Sequence, residues 1–342
     1  NSVLRAEIKD TKPFIRTSEF LWQEGHTAHE TKEEAEKQVN VMLKLYKDFV
    51  NEYLALPILT GKKSDKEKFV GADYTLTLEG IMPDGKALQM GTSHQLGQNF
   101  SKPFEISFLG KDEEQHFVWQ TSWGVSWRLM GALIMIHGDD KGLILPPKIA
   151  PIQVVIIPIY YDEGKKNEII KVIKKIKEQL DEKGVRSHVD SSEQHTPGWK
   201  FNQWEMKGVP IRVEIGPKDL DNNSLVVVKR NSRDKKNITI SDNLADHIMR
   251  ELEIIQDELF ESAKMKHSEM IFKSDEYNEL CNRLANDKGF IKSAWCGSRE
   301  CEDKIKDETG ADVRLIEDEV ISSSCIVCGN DATNSVYFAK SY

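Results

Sequence analysis

Four cysteines near the end of the chain carry the most specific chemistry. Cys296 and Cys301 are separated by four residues, Cys325 and Cys328 by two, and Gly329 follows the second pair. Four thiolates at this spacing suit one tetrahedral Zn²⁺ in a closed, structural site, the alternative being a set of free thiols. A glycine after the second pair lets backbone N–H groups approach a thiolate closely. Cys281 has no partner at useful spacing and reads as a small buried residue. Thiols kept free for metal point to a reducing compartment, and a cytoplasmic location is expected.

Three further groups lie in the first 130 residues. Residues two apart on a strand share a face, so Trp22, Glu24 and His26 point one way, as do Arg5 and Glu7 on a preceding strand. An indole, a carboxylate and an imidazole on one face suit a small apolar group carrying a cationic amine; the plainer alternative is a core indole with hydrogen-bonded neighbours. In the run 89–94, Thr92 and His94 share a face beside Gln89, and Gly91 permits close approach of a ligand or another strand. In Thr121-Ser122-Trp123-Gly124-Val125-Ser126-Trp127-Arg128 a strand passes into a helix whose first turn carries Arg128. Its planar guanidinium can face a phosphate or stack on a purine, whereas a plain surface arginine beside the positive end of the helix dipole is slightly unfavourable.

These groups need a scaffold, and the patterning supplies one. Residues 1–30 alternate apolar and polar around a turn-like Lys9-Asp10-Thr11-Lys12-Pro13, which predicts two antiparallel strands. Thr31 and Glu34 form a capping box, and Ala35, Val39, Met42, Tyr46, Phe49 and Tyr53 recur at spacings of three and four, predicting an amphipathic helix. Short strands fill 54–125, and Leu129 to His137 reads as a wholly buried helix. Pro146, Pro147 and Pro151 punctuate a boundary. Beyond it, Val154 to Ile157 reads as a buried strand, Ile169, Ile173, Ile176 and Leu180 as one helix face ended at Gly184, Val209 to Ile215 and Leu225 to Lys229 as strands, and Asp242 to Leu259 as a helix. Such alternation implies a partly parallel sheet. Residues 265–342 have few long apolar runs, and metal is expected to hold them together.

Charge and hydropathy set bounds. The 342 residues carry 47 Lys+Arg and 56 Asp+Glu, a formal net charge of −9, which argues against coating nucleic acid through bulk electrostatics. Residues 151–241 nevertheless carry 17 basic against 13 acidic side chains, while 242–342 carry 12 against 22. A polyanion would therefore meet the middle segment first. The longest apolar run in a helix, Leu129 to Ile136, is far below the roughly 18 residues of a membrane span, so no membrane partner is expected.

Taken together, the motifs resemble those of one family. The run from Pro13-Phe14-Ile15-Arg16-Thr17 through Trp22-Gln23-Glu24-Gly25-His26 to His29 is similar to motif 2 of prolyl-tRNA synthetases. Thr121 to Arg128, continuing through Gly131-Ala132-Leu133 and His137-Gly138-Asp139-Asp140-Lys141-Gly142-Leu143, resembles their motif 3. The likeness runs over essentially the whole chain and is to the archaeal and eukaryotic type, which lacks an editing insertion between these motifs and carries an extra zinc-containing domain. His195 to Phe201 and Gly208 to Pro217 resemble the anticodon-binding domain of several class II synthetases.

The resemblance implies an α/β and α+β protein: a class II antiparallel sheet with helices (1–148), an α/β anticodon-binding domain with a linker helix (149–262) and a zinc-containing C-terminal α/β domain (263–342). It implies ATP-dependent activation of L-proline to prolyl-adenylate and transfer to tRNA(Pro), with Mg²⁺ accompanying ATP. Arg5 would hold the α-phosphate, Glu7 would orient the nucleotide, and Arg128 would pack on adenine and reach the γ-phosphate. Arg16, Gln89 and Thr92 would complete the ATP site, and Trp22, Glu24, His26, His94, Trp123 and Gly124 would line the proline site. Arg212, Glu214, Lys229 and Arg230 are candidates for anticodon contacts or, alternatively, solvated strand-end charges. The carboxylate of the terminal Tyr342 would tuck toward the catalytic domain. The family usually has Thr where this chain has Trp127. Motif 1, whose proline helps build a homodimer, and the Thr-x-Glu loop over the prolyl ring are not in the sequence, so a piece of a longer protein is expected. The rivals are a threonine- or glycine-type class II synthetase and a non-catalytic synthetase-like binding protein; the Trp22 wall favours a pyrrolidine ring over a hydroxyl.

Overall fold

The computed structural model describes residues 1–8, 10–160, 163–286 and 289–342. Lys9, where the expected opening turn begins, lies outside them. The chain forms two compact units, one of residues 1–52, 56–136 and 264–342, the other of 53–55 and 137–263.

The elements in chain order are β1 (Ser2–Leu4), β2 (Glu19–His29), α1 (Lys32–Glu52), β3 (Leu59–Lys62), β4 (Tyr74–Ile81), β5 (Ala87–Gly97), a hairpin of β6 (Ser107–Leu109) and β7 (Gln115–Phe117), β8 (Trp119–Ser126) and α2 (Arg128–His137). Then come β9 (Val154–Pro158), α3 (Glu163–Glu182), β10 (Ser187–Val189), α4 (Pro197–Met206), β11 (Ile211–Ile215), α5 (Pro217–Asp221), β12 (Ser224–Lys229), β13 (Lys235–Thr239) and α6 (Leu244–Glu269). The last are β14 (Ile271–Lys273), α7 (Tyr277–Asn286), β15 (Phe290–Trp295), α8 (Arg299–Thr309), β16 (Asp312–Glu317) and β17 (Asn334–Ala339).

In the first unit one sheet runs in the order β1-β2-β8-β5-β4-β3-β16-β17-β15-β14. The half built from β1–β5 and β8 is antiparallel, with Trp22 opposite Ser126, Glu24 opposite Gly124, and Thr92 opposite Gly124 from the other side. Glu24, Gly124 and Thr92 thus form a row across three strands. α1 starts as expected, Thr31 Oγ1 accepting the Glu34 N–H at 3.2 Å, and buries Ala35, Val39, Tyr46 and Val50. Ser93 of β5 donates to the Val39 carbonyl at 2.9 Å, tying helix to sheet. Phe49 and Tyr53, assigned to the buried face, are exposed at the helix end.

Three local expectations are corrected. β1 ends at Leu4, so Arg5 and Glu7 sit in the following loop rather than on a strand. α2 carries Arg128 in its first turn as expected, but it is buried on one side only: Met130 is 55% exposed. The final segment is not held by metal alone. Leu280, Leu284, Ile291, Trp295, Ile305, Val313, Val336 and Phe338 build it an apolar core, assembled from singly spaced residues that produce no long run.

That segment also shares the sheet of residues 1–136 instead of standing apart. Ile316 of β16 pairs with Lys62 of β3, and a Cβ on Gly61 would lie 2.8 Å from the Ile316 carbonyl, so close approach requires glycine there. Below the junction, Lys63 lies 2.7 Å and Arg314 3.0 Å from the Glu79 carboxylate, all three buried. Burial alone would favour protonated Glu79; Lys63 and Arg314 outweigh it and keep the carboxylate ionised.

The second unit has the partly parallel sheet expected, in the order β10-β9-β11-β12-β13, with β9 parallel to β10 and β11 and the rest antiparallel. Ile169, Ile173, Ile176 and Leu180 of α3 pack into its core with Val154, Ile156, Ile211 and Val213. Gly184 takes φ +72, as a residue just past a helix end commonly does. α6 runs ten residues beyond the expected Leu259, to Glu269. The short β10 and the polar edge strand β13 lack the alternation that marks a strand.

Candidate active site

A cavity of about 510 Å³ opens on the antiparallel sheet. β2, β5 and β8 supply its floor, and the loop after β1, the turn before β2 and the start of α2 supply its rim. Of the residues expected here, Arg5, Glu7, Arg16, Trp22, Glu24, Gln89, Thr92, His94, Trp123, Gly124 and Arg128 all line it. His26 does not. It lies two residues further along β2, about 6.6 Å on, with its side chain 64% exposed and its Nε2 3.2 Å from Glu24.

The guanidinium of Arg128 is held by two backbone carbonyls, Ile15 at 3.0 Å and Gln89 at 3.2 Å. These contacts fix the fork, while burial first, and Arg16 next, work against its ionised form and Glu79 supports it. Arg5 lies over Phe20 and Trp22, 5.1 and 5.9 Å from the ring centroids, and Arg16 pairs with Glu7 at 3.1 Å. Three guanidiniums therefore line one wall, a natural seat for a polyphosphate. The Trp123 ring lies over Gly25 of β2, where a Cβ would be 2.4 Å from it, on the sheet face that Ser93 turns toward α1 and not on the face of Trp22 and Glu24. His94 is neutral: burial pushes its pKa down to about 4.

Several lining residues escaped the sequence reading. Phe14, at φ +60, and Ile15 press on Gly131 of α2, where a Cβ would meet Ile15 at 2.7 Å. Glu67, Phe69 and Thr75 come from a loop and strand start with no periodic signal. Trp127 packs edge-on against Phe14 at 5.6 Å, and its Nε1 is buried with no hydrogen-bond partner among the described residues. Where the related pattern has a hydroxyl, this cavity has an indole.

The four cysteine sulfurs lie within 4.8 Å of one another, Cys296 being 3.7 Å from both Cys301 and Cys328. A tetrahedron with metal–sulfur bonds of about 2.3 Å has edges of about 3.8 Å, so the cluster has the size and the soft donors such an ion requires. Burial opposes ionisation of Cys325, yet backbone N–H groups of Cys328 and Val327 outweigh it and bring the thiol down to about 7.

In the second unit a smaller cavity of about 180 Å³ is lined by Arg212, Lys229, Arg230, Arg233 and Lys235 with Trp204. Arg212 lies 4.4 Å over the Phe201 ring and pairs with Glu214, which is outside the lining, at 2.9 Å. Lys229 and Arg230 are not solvated strand-end charges. They are 6% and 5% exposed, Lys229 pairing with Glu251 at 2.7 Å and Arg230 gripping Asp139 through both terminal nitrogens at 2.6 and 3.0 Å. Arg233, 53% exposed in its side chain, was not singled out by sequence.

Antiparallel sheet, arginine-lined cavity and a separate mixed α/β unit define a class II aminoacyl-tRNA synthetase. Family models agree: residues 1–137 match the class II tRNA synthetase core domain (G, H, P, S and T), 153–248 the anticodon binding domain, and 277–342 the prolyl-tRNA synthetase C-terminal domain. The chain is 52% identical over 342 residues to the proline–tRNA ligase of Cenarchaeum symbiosum, covering 100% of this chain and 71% of that protein. It is 50% identical to that of Natranaerobius thermophilus, covering 100% and 70%. The crystal structure of prolyl-tRNA synthetase from Cryptosporidium parvum complexed with L-proline and AMP superimposes with a TM-score of 0.94 at 41% identity, covering 100% of this chain and 74% of that one. The chain belongs to the proline–tRNA ligases, aminoacyl-tRNA ligases that activate proline with ATP and charge tRNA.

Proposed function

We propose that the large cavity is where L-proline and ATP react, with the roles divided between its two walls. The single observation that carries this is the convergence of Arg5, Arg16 and Arg128 with Trp22 and Glu24 in one cavity. Proline would lie against the Trp22 indole beside the Trp123-Gly124 backbone, with its ammonium toward Glu24, an arrangement with an apolar face for the ring and a carboxylate for the charge. The proline carboxylate attacks the α-phosphorus, the bond to the β-phosphate oxygen breaks, and pyrophosphate leaves. Arg5 neutralises the α-phosphate, Arg128 packs on adenine and reaches the γ-phosphate, and Glu7, Arg16, Gln89 and Thr92 hold the nucleotide. Positioning and fixed positive charge supply most of the rate in such chemistry. Mg²⁺ bound with ATP would add charge neutralisation at the phosphates.

The basic cavity of the second unit is the proposed anticodon reader, with Arg212 and Arg233 as contacts. Lys229, Arg230 and Glu214 shape its wall, because their paired charges are buried, whereas Arg233, although paired with Asp139 and Glu205, keeps 53% of its side chain exposed. Cys296, Cys301, Cys325 and Cys328 would hold a structural Zn²⁺, which supplies cross-linking rather than catalysis. The three-part division at 148 and 262 is retained as a division of roles, although packing joins its first and third parts. A cytoplasmic homodimer is the proposed working form. Reduced thiols favour that compartment, and β1 at the sheet edge, with Leu4 78% and Leu21 55% exposed, favours a partner there. Amino-acid-dependent ATP–pyrophosphate exchange tests the assignment: exchange with proline and not with threonine or glycine is expected, and the reverse preference would overturn it.

A further inference from the structure

Both ring nitrogens of His94 are engaged: Nδ1 lies 2.8 Å from Thr75 Oγ1, and Nε2 lies 2.9 Å from Thr92 Oγ1. The neutral imidazole has a single proton to place, and these two distances do not assign it. A third hydrogen bond does. The backbone N–H of Phe69 donates to Thr75 Oγ1 at 3.1 Å. Thr75, on β4, is only 1% exposed, so its hydroxyl proton needs an acceptor within the protein. Among the described residues its oxygen meets the Phe69 N–H and His94 Nδ1, and of these only Nδ1 can accept. A proton on Nδ1 would make Thr75 Oγ1 accept twice and leave its own O–H buried without a partner, a costly outcome. The Phe69 ring, centred 5.1 Å from the imidazole, closes this side of the histidine.

We propose that Thr75 is a positioning residue of the activation site: it donates to His94 Nδ1, fixes the Nε2–H tautomer, and thereby frees the Thr92 hydroxyl proton for an anionic ligand oxygen in the cavity. Nε2–H donates to Thr92 Oγ1, so the Thr92 O–H is not spent on the histidine. With the opposite tautomer, Nε2 would take that proton as an acceptor and the cavity would lose a donor. Thr92 lines the cavity and lies in the row with Gly124 and Glu24, where an anionic oxygen of the reaction would sit. That oxygen belongs either to the amino-acid carboxylate or to the α-phosphate. The inference rests on the reading of this cavity as the proline and ATP site.

The test combines spectroscopy with kinetics. Long-range proton–nitrogen correlation on ¹⁵N-histidine-labelled protein, with His94→Gln to assign the signal, reads the tautomer directly. The wild type is expected to show Nε2–H, and Thr75→Val to lose that preference. In exchange assays Thr75→Val should raise one KM about tenfold, as expected for a lost hydrogen bond to a charged group, with kcat much less affected and Thr75→Ser restoring the wild-type value. A rise confined to proline identifies the carboxylate, and one confined to ATP identifies the phosphate. In a Thr92→Val background, Thr75→Val should cause no further rise, because the two hydroxyls act in series. An Nδ1–H tautomer in the folded wild type, or Thr75→Val with both KM values unchanged, would overturn the inference. Wild-type protein without proline-dependent exchange would instead sink the reading of the cavity, and the tautomer would still be measured independently.

Discussion

At the scale of single residues, burial separates charges that bind a ligand from charges that hold the fold. Arg128 is fixed by two carbonyls, and among the described residues no carboxylate forms an ion pair with it. Arg128→Ala should lower proline-dependent exchange by roughly 10²–10³-fold, the usual size for losing a preorganised charge, with the far-ultraviolet spectrum unchanged. Lys229 belongs to the other class. Its pairing with Glu251 is almost fully buried, and Lys229→Ala should cost about 1–3 kcal/mol in urea unfolding, because Glu251 loses its buried partner and keeps only the half-exposed Lys236 at 3.1 Å. Arg233→Ala should instead weaken tRNA binding with little change in stability. Arg212, Lys229 and Arg230 have equal standing in the sequence as basic residues on or beside strands; which of them is held by an acid from elsewhere depends on Asp139 and Glu251, distant in sequence. His94 adds a pH dependence with a definite sign. An ordinary imidazole takes a proton near 6.5, whereas this one resists until about 4. Between those values the unfolded chain binds the extra proton, so stability should fall as pH drops from about 6.5 to about 4. Thermal unfolding of wild type against His94→Gln across that range checks it, the variant showing the shallower slope.

At the scale of elements, the legible parts are those whose pattern is local. The capping box at Thr31 and the helix faces of α1 and α3 could be read directly, because spacing of three and four residues and a side-chain cap leave marks within one turn. Cavity residues on β2, β5 and β8 were legible for the same reason: alternation fixes a face. Arg5 and Glu7 reach the cavity without a strand to carry them, and Glu67, Phe69 and Thr75 arrive through a segment whose position is set by tertiary contacts. Glycines record some of those contacts. Gly25 is where β2 makes room for the Trp123 ring, and Gly25→Ala would place a methyl 2.4 Å from it. The indole must then shift against α1, so Gly25→Ala should lower Tm in thermal unfolding; an unchanged Tm would show that the ring is free to move.

At the scale of the whole molecule, residues 264–342 complete the sheet that carries the active site. β16 adds to β3, and Arg314 supplies part of the counter-charge for the buried Glu79 of β4. Cysteine spacing announced the four-sulfur cluster, but nothing local in 312–317 announced that its strand would join one 250 residues earlier. Removing the Zn²⁺ proposed for the cluster should therefore be felt beyond it. A chelator is expected to lower Tm and, at temperatures where the chain stays folded, to speed amide exchange in β16 and β3; unchanged exchange in β3 would show the two halves to be uncoupled. The acidic net charge of −9 fits a tRNA ligand once the basic cavity of the second unit is separated from the acidic last third. The central claim concerns the arginine-lined cavity, and amino-acid-dependent ATP–pyrophosphate exchange tests it most directly. The account predicts exchange that requires proline and is lost in Arg128→Ala; exchange driven by threonine or glycine, or unaffected by Arg128→Ala, would contradict it.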